Sequence, residues 1–141
     1  MMEHPEVICE FALPGPIRDR LVDSVLRGEK TATSSLLAEW EHDGDPLSNV
    51  GERQTVVDSC GQPVAEIELT ALDVVRLGDV GLDVALAEGE GFSGVDDWRS
   101  AHERFWEEFV LPDLPGGLIS GLDDDTLVVV ERFRLVSAFD R

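Results

Sequence analysis

The sequence predicts an α+β fold, a small antiparallel β-barrel flanked by helices. Three observations carry this expectation. Residues 17–27 and 95–110 show the helical period, residues 52–77 read as a β-hairpin, and residues 126–139 form one long alternating strand. The resulting order, helix, strand, hairpin, small helix, helix, strand, lacks the βαβα alternation of a parallel sheet and suits a small barrel with helices outside it.

Each element has a local reason. Residues 6–13 (EVICEFAL) are apolar-rich and read as a strand or the start of a packed turn, stopped by Pro14-Gly15-Pro16. In the first helix Ile17, Leu21, Val22, Val25 and Leu26 share a face, with Pro16 in the first turn and Gly28 at the C-terminal cap. Residues from Thr31 on are β-permissive, residues 36–40 suit a short helix, and HDGDPLSNVG is a loop by composition. The hairpin turns at Cys60-Gly61-Gln62-Pro63. In its second arm Ala65, Ile67, Leu69 and Ala71 alternate with Glu66, Glu68 and Thr70. A short helical piece over 82–88 lies in a turn-rich stretch. The helix over 95–110 has Val95, Trp98, Phe105, Phe109 and Trp106 as candidates for its apolar face, and residues 112–121 read as loop. In the last strand Val129, Phe133 and Leu135 fall on one face, Val128, Val130 and Val136 on the other.

The chain has 141 residues, 43% hydrophobic, which predicts one domain spanning 1–141 with a real core. No segment approaches the roughly 20 apolar residues of a membrane span, and the start lacks the basic and apolar regions of a signal peptide. Cys9 and Cys60 make no disulfide framework and are expected to be buried free thiols, which goes with a cytoplasmic location. The net charge is −19, with 11 Lys+Arg against 30 Asp+Glu. Binding to long duplex DNA needs clustered basic residues and is not expected, although a small local basic groove is compatible with the total.

Three constellations bear on chemistry. In GEKTATSSL, Lys30 precedes Thr31, Thr33, Ser34 and Ser35. Composition alone leaves two alternatives, a solvated lysine at a helix cap or an ammonium held near a hydroxyl to favour an alkoxide or an anionic intermediate. This is no phosphate-binding P-loop, because the glycine spacing is wrong and a helix precedes it. In AEGEG, Glu88 and Glu90 flank Gly89; they make either a solvated acidic turn or a carboxylate suited to general acid/base work. In WRSAHERFW, Trp98 and His102 share a helix face at i, i+4, and Arg99 neighbours His102 at i+3; His102 is either a satisfied helix histidine or a catalyst. It is one of three histidines, with His4 and His42. The cysteines and histidines show no metal-ligand spacing, and no dinucleotide fingerprint is present, so neither metal nor cofactor is expected.

Taken together, Gly28-Glu-Lys30-Thr-Ala-Thr33, the hairpin with Val50-Gly51, Val56, Asp58, Gly61 and Pro63, then Glu88-Gly-Glu90-Gly91 and Trp98-Arg99-x-x-His102-x-x-Phe105 resemble the ASCH domain family over nearly the whole chain. The resemblance implies a PUA-like fold and a link to RNA. It also implies one of two activities. The first is amide hydrolysis of N4-acylcytidine-type nucleosides (the N4-acetylcytidine amidohydrolase activity of one small member). The alternative is an RNA-binding module or a single-stranded-RNA ribonuclease. Motif on motif, it places a catalytic set on Lys30, Thr33 and Glu90. Thr33 would supply or orient the nucleophile, Lys30 would stabilise the oxyanion, and Glu90 would carry a proton to the leaving amine. Ser34, Ser35, Glu88, Phe92, Arg99 and His102 are the expected substrate-binding residues around it. The acidic surface favours a neutral nucleoside over polyanionic RNA. A third reading, a non-enzymatic partner domain, would need an exposed apolar patch.

Overall fold

The structure, a computed structural model, describes residues 7–116, 119 and 121–139. His4, Glu6 of the first expected strand, and residues 117, 118 and 120 of the expected loop lie outside the described residues. The elements run β1 (Ile8–Cys9), α1 (Pro16–Leu26), β2 (Ala32–Leu36), α2 (Leu37–Asp43), β3 (Arg53–Val57), β4 (Pro63–Arg76), α3 (Leu82–Ala87), α4 (Val95–Phe109) and β5 (Leu127–Ala138). The two long helices, the hairpin and the closing strand thus fall where the periodicity puts them, within two residues at each end. Short 3₁₀ turns at Leu77–Asp79 and Leu111–Asp113 occupy stretches expected to be irregular.

The architecture is α+β, but the expected antiparallel barrel is corrected to a five-stranded mixed sheet in the order β1-β3-β4-β5-β2. The strand β1 runs parallel to β3 through only two register pairs, Ile8 with Thr55 and Cys9 with Val56, and the edges β1 and β2 are not paired to each other. Parallel pairing of β1 is a long-range choice that no local alternation of residues encodes. The other neighbours are antiparallel.

Both faces of the sheet are covered. The strands β4 and β5 bridge them because a bulge between Leu69 and Ala71 gives β4 one extra residue and reverses its pleat. On one face Val128 and Val130 pack with Leu36, Val84, Trp98 and Trp106, under α3 and α4. On the other Phe133 packs with Ile67, Val56, Phe11, Val22 and Val25, under α1. The apolar face of α4 is Trp98, Trp106 and Val110 rather than Phe109, which is exposed. Trp98, His102 and Trp106 follow one another at i+4, and Phe105 packs beside this line, half-buried against the same core.

The N-termini of the long helices are fixed differently. Pro16 opens α1 behind Gly15. Asp97 folds back on α4, accepting from the backbone N–H of Gly94 at 2.9 Å and of Ser93 at 2.7 Å. Arg18 is buried and ties α1 to the first turn of the chain, donating to the carbonyls of Phe11 at 3.0 Å and Ala12 at 2.9 Å. Among the described residues no helix is long and apolar enough to cross a membrane.

The cysteines part company with expectation. Both are free, but Cys60 sits exposed in the hairpin turn, because Gly61 and Pro63 hold that turn out of the core. Cys9 retains some exposure as a residue, yet its thiol is pushed up to about 12, first by burial and then by Glu131 and Glu10, with Lys30 and Arg18 opposing. At pH 8 the Cys9 thiolate fraction is then roughly 10⁻⁴. A disulfide reagent is expected to label Cys60 quickly and Cys9 not at all in the folded protein, so Cys60→Ser abolishes fast labelling. Fast labelling that survives Cys60→Ser would contradict the burial of the Cys9 thiol.

Candidate functional site

The site forms where the exit of α1 crosses the exit of α3. Gly28 takes a φ of 78° and ends α1. The N–H groups of Glu29 and Lys30 both donate to Ser24 O, at 3.0 and 3.1 Å. Thr31 N–H then donates to Ala87 O at 2.7 Å, and Ser24 Oγ donates to Gly89 O at 2.8 Å. These bonds lace residues 24–31 to residues 87–89 across the core. Gly89, at φ 68°, lies so close that a Cβ on it would meet Lys30 N at 2.6 Å.

Lys30 is turned inward, 2% exposed, so the solvated-cap alternative is excluded. Its Nζ donates to Ala32 O at 2.9 Å and Glu88 O at 3.3 Å, lies 3.6 Å from Glu88 Oε1, and sits 5.3 Å from the Phe11 ring centroid. Glu88, 1% exposed, is the hub. Its Oε2 accepts from Ser34 Oγ at 2.8 Å and from Trp98 Nε1 at 2.5 Å. Its Oε1 faces His102 Nε2 at 3.2 Å. His102 Nδ1 faces Trp98 O at 2.8 Å, and the imidazole stacks on the Trp98 ring at 4.3 Å between centroids. No described buried side-chain polar atom lacks a partner.

This arrangement sets the charges. Burial pushes the Glu88 carboxyl up, but the hydrogen bond and charge of His102, with Lys30 and Trp98, outweigh it and hold Glu88 below the usual range. Burial likewise pulls His102 down, and the hydrogen bond and charge of Glu88, the Trp98 carbonyl and Glu90 outweigh it, so the imidazole is raised above 6.5. Both ring nitrogens face acceptors, which only the imidazolium satisfies as a double donor. Glu90 differs. It is exposed at the mouth, yet the surrounding protein desolvates its carboxyl and raises it, helped by Glu88 and opposed by Lys30, His102 and Arg20.

A pocket of about 390 Å³ opens above this cluster, within the size of small-ligand sites. Of the residues the sequence singled out, Lys30, Thr33, Ser34, Glu88, Glu90, Phe92 and His102 line it. Two do not. Ser35 points to the other side of β2, where its hydroxyl accepts from Trp40 Nε1 at 3.0 Å. Arg99, one step around α4 from Trp98, is held by Glu103 and Asp124 at 2.5 Å each. Neither is brought to the pocket that the other seven line. The pleat of β2 also separates the two hydroxyls. Ser34 pairs with Val130 and enters the Glu88 cluster, whereas Thr33 pairs with Glu131 on the opposite pleat and meets the pocket at its wall.

Trp98 belongs to the core, as its place on the apolar face predicts, but its indole N–H also fixes Glu88, a role that the i, i+4 placement with His102 only hints at. Glu88, Glu90 and His102 bring ligand atoms within 4.8 Å of one another, the one described trio able to approach a cation. Glu88 and His102 are already committed to each other, and the Lys30 ammonium occupies the cation's place beside Glu88.

The family model of the ASCH domain matches residues 9–137. No curated protein matches the chain. Among solved structures it is similar to a DUF984-family protein from Enterococcus faecalis V583, at 28% identity and a TM-score of 0.81, covering 98% of this chain and 80% of that one. It is also similar to an ASCH domain from Lactobacillus crispatus JV V101, at 28% identity and a TM-score of 0.80, covering 94% of this chain and 80% of that one.

Proposed function

The chain belongs to the ASCH domain family, and from that premise we propose that it hydrolyses the amide of an N4-acylcytidine-type nucleoside in this pocket. One observation carries the reading. A buried lysine, Lys30, lies at the floor of a ligand-sized pocket that Thr33, Ser34 and Glu90 also line.

The chemistry distributes itself by burial. Glu88 is a poor base, because its low pKa and its partners keep it ionised and occupied. Its task is to hold Lys30, His102 and Ser34 in place. Glu90, with its raised pKa and its access to the pocket, suits proton transfer. The Thr33 hydroxyl attacks the acyl carbonyl and gives its proton to Glu90. Lys30 faces the oxyanion as it forms. The C–N4 bond then breaks as Glu90 returns the proton to the leaving amine, and water releases the acyl group from Thr33 as the carboxylic acid.

The test follows loss of the N4-acetylcytidine chromophore with wild type and with Lys30→Ala, Thr33→Ala, Ser34→Ala and Glu90→Gln. With folding intact, Lys30→Ala, Thr33→Ala and Glu90→Gln are each expected to lower kcat/KM by 10² or more. Since Glu90 must begin ionised, the wild-type kcat/KM should fall on the acid side with a midpoint above 4.5. No turnover by wild type sinks the proposal. A severe Ser34→Ala defect beside an active Thr33→Ala moves the nucleophile to Ser34.

The second reading, binding or cleavage of single-stranded RNA, draws on Phe92, Phe105 and Phe109 at the same pocket, rings on which an unstacked base can lie. A labelled single-stranded RNA given to the same variants separates it from amide hydrolysis.

A further inference from the structure

Most of the described cations of this acidic protein are already matched. Among the described residues, Arg18, Arg27, Lys30, Arg53, Arg76, Arg99, Arg132 and Arg134 each have a carboxylate within ion-pair reach. Arg20 and Arg104 have no carboxylate that close, although the Arg20 charge acts on Glu90, and both are exposed. Both line the same pocket, Arg20 from α1 and Arg104 from α4. In a chain of net charge −19, cations without a carboxylate partner are the exception. Finding the two on different helices around one cavity is what an anionic ligand group requires. The depth of the pocket offers a different chemistry, with the Lys30–Glu88–His102 cluster at the floor and Phe92 and Phe105 at its sides. The cavity is therefore graded, with aromatic rings and amide chemistry within and guanidinium groups at the edge.

We propose that the ligand carries a phosphate, and that Arg20 and Arg104 hold it, so the pocket takes a cytidine-type mononucleotide in preference to the free nucleoside. The inference rests on the reading of this pocket as a cytidine site. It replaces the neutral nucleoside favoured by the overall charge, because the local field at the mouth differs from the mean. Guanidinium forks match phosphate oxygens in geometry as well as charge. Glu90 and Glu108 also line the pocket and repel an anion, which limits the gain. The overall acidity then opposes the further phosphates of a polymer, so one phosphate, not a strand, is the occupant.

The test is calorimetric binding of cytidine, cytidine 5′-monophosphate and a 5′-phosphorylated trinucleotide to the whole protein. Wild type should bind the monophosphate about tenfold or more tighter than cytidine, with the advantage shrinking as salt rises. The ratio should fall to about one in Arg20→Gln/Arg104→Gln and persist in Arg134→Gln, whose site is exposed on β5. Equal affinities in wild type, a preference that survives the double substitution, no binding of either ligand, or a trinucleotide that binds tighter than the monophosphate would each overturn it. The readout is independent of turnover. A monophosphate preference without hydrolysis of N4-acetylcytidine removes the amide-hydrolysis reading alone, and hydrolysis without the preference removes the phosphate inference alone.

Discussion

Replacing Gly89 by alanine is expected to lower the unfolding free energy by about 2–4 kcal/mol and to disable the site. Two costs combine. Gly89 has a φ of 68°, where an alanine is strained. Its new Cβ would also lie 2.5 Å from Ser24 Oγ, 2.6 Å from Lys30 N and 2.7 Å from Glu29 C. Ser24 can rotate away only by giving up its bond to the Gly89 carbonyl, and the other two atoms are backbone. Relief therefore means pushing the chain before β2 away from the chain after α3. Those two segments carry Lys30 and Glu88. Gly91 is the control, since at φ 82° it has nothing within 4 Å of an added Cβ. Gly91→Ala should cost only the strain, about 1 kcal/mol. Urea unfolding followed by Trp98 and Trp106 fluorescence measures both. Equal losses in the two variants would mean the close approach is not what fixes Gly89.

Glu88→Gln is expected to cost about 3–5 kcal/mol, the usual penalty for stranding one member of a buried ion pair. Glutamine keeps the shape, but its NH₂ must face some of the four donors that converge on the carboxylate, from Lys30, Ser34, Trp98 and His102. The loss has a pH signature with two limbs. Glu88 is depressed in the folded state, so it stabilises above the ordinary value of 4.5 and that stability is lost as pH falls through the folded value. His102 is raised, so it stabilises fully below 6.5 and that stability is lost as pH rises through its folded value. Wild type should therefore carry the full benefit of the pair between about 4.5 and 6.5. Glu88→Gln removes both limbs. It should also lower the His102 pKa in an NMR titration, because only the Trp98 carbonyl and Glu90 then oppose burial. A His102 midpoint unchanged by the substitution would show that Glu88 is not what raises it.

Helix and hairpin periods were legible in the sequence because each is a local pattern. In α1, Val22 and Val25 of the expected face are buried while Ile17 is exposed, and in β5 Val128 and Val130 fall opposite Phe133 as the alternation predicts. The open, mixed sheet could not be read, since the parallel contact of β1 with β3 joins Ile8 to Thr55, and the bulge after Leu69 leaves no trace in composition. The fold brings GEKTATSSL and AEGEG to one pocket. The order of the glutamates within AEGEG did not show which would be buried. That depends on Glu88 capping the C-terminus of α3, facing Trp98 and His102, while Glu90 lies past Gly89 at the mouth. Arg99 looked suited to the site from its spacing to His102, but Asp124, which holds it, lies 25 residues further along the chain. Arg20 and Arg104 carried no motif at all. They stand out only once the partners of the other cations are known.

The strand order has a consequence for the birth of the protein. The strand β2 ends at Leu36, yet its one sheet neighbour among the described residues, β5, begins at Leu127. During synthesis β2 must wait, unpaired, for about 90 residues to emerge, and a long-range closure of this kind is slow. The pocket is walled by β2, by the chain after α3 and by α4, so it is among the last parts of the molecule to exist. A nascent chain holding Lys30 and Glu88 but not yet β5 has both charges and no place to bury them. Ligand binding at this pocket therefore depends on the pairing of β2 with β5.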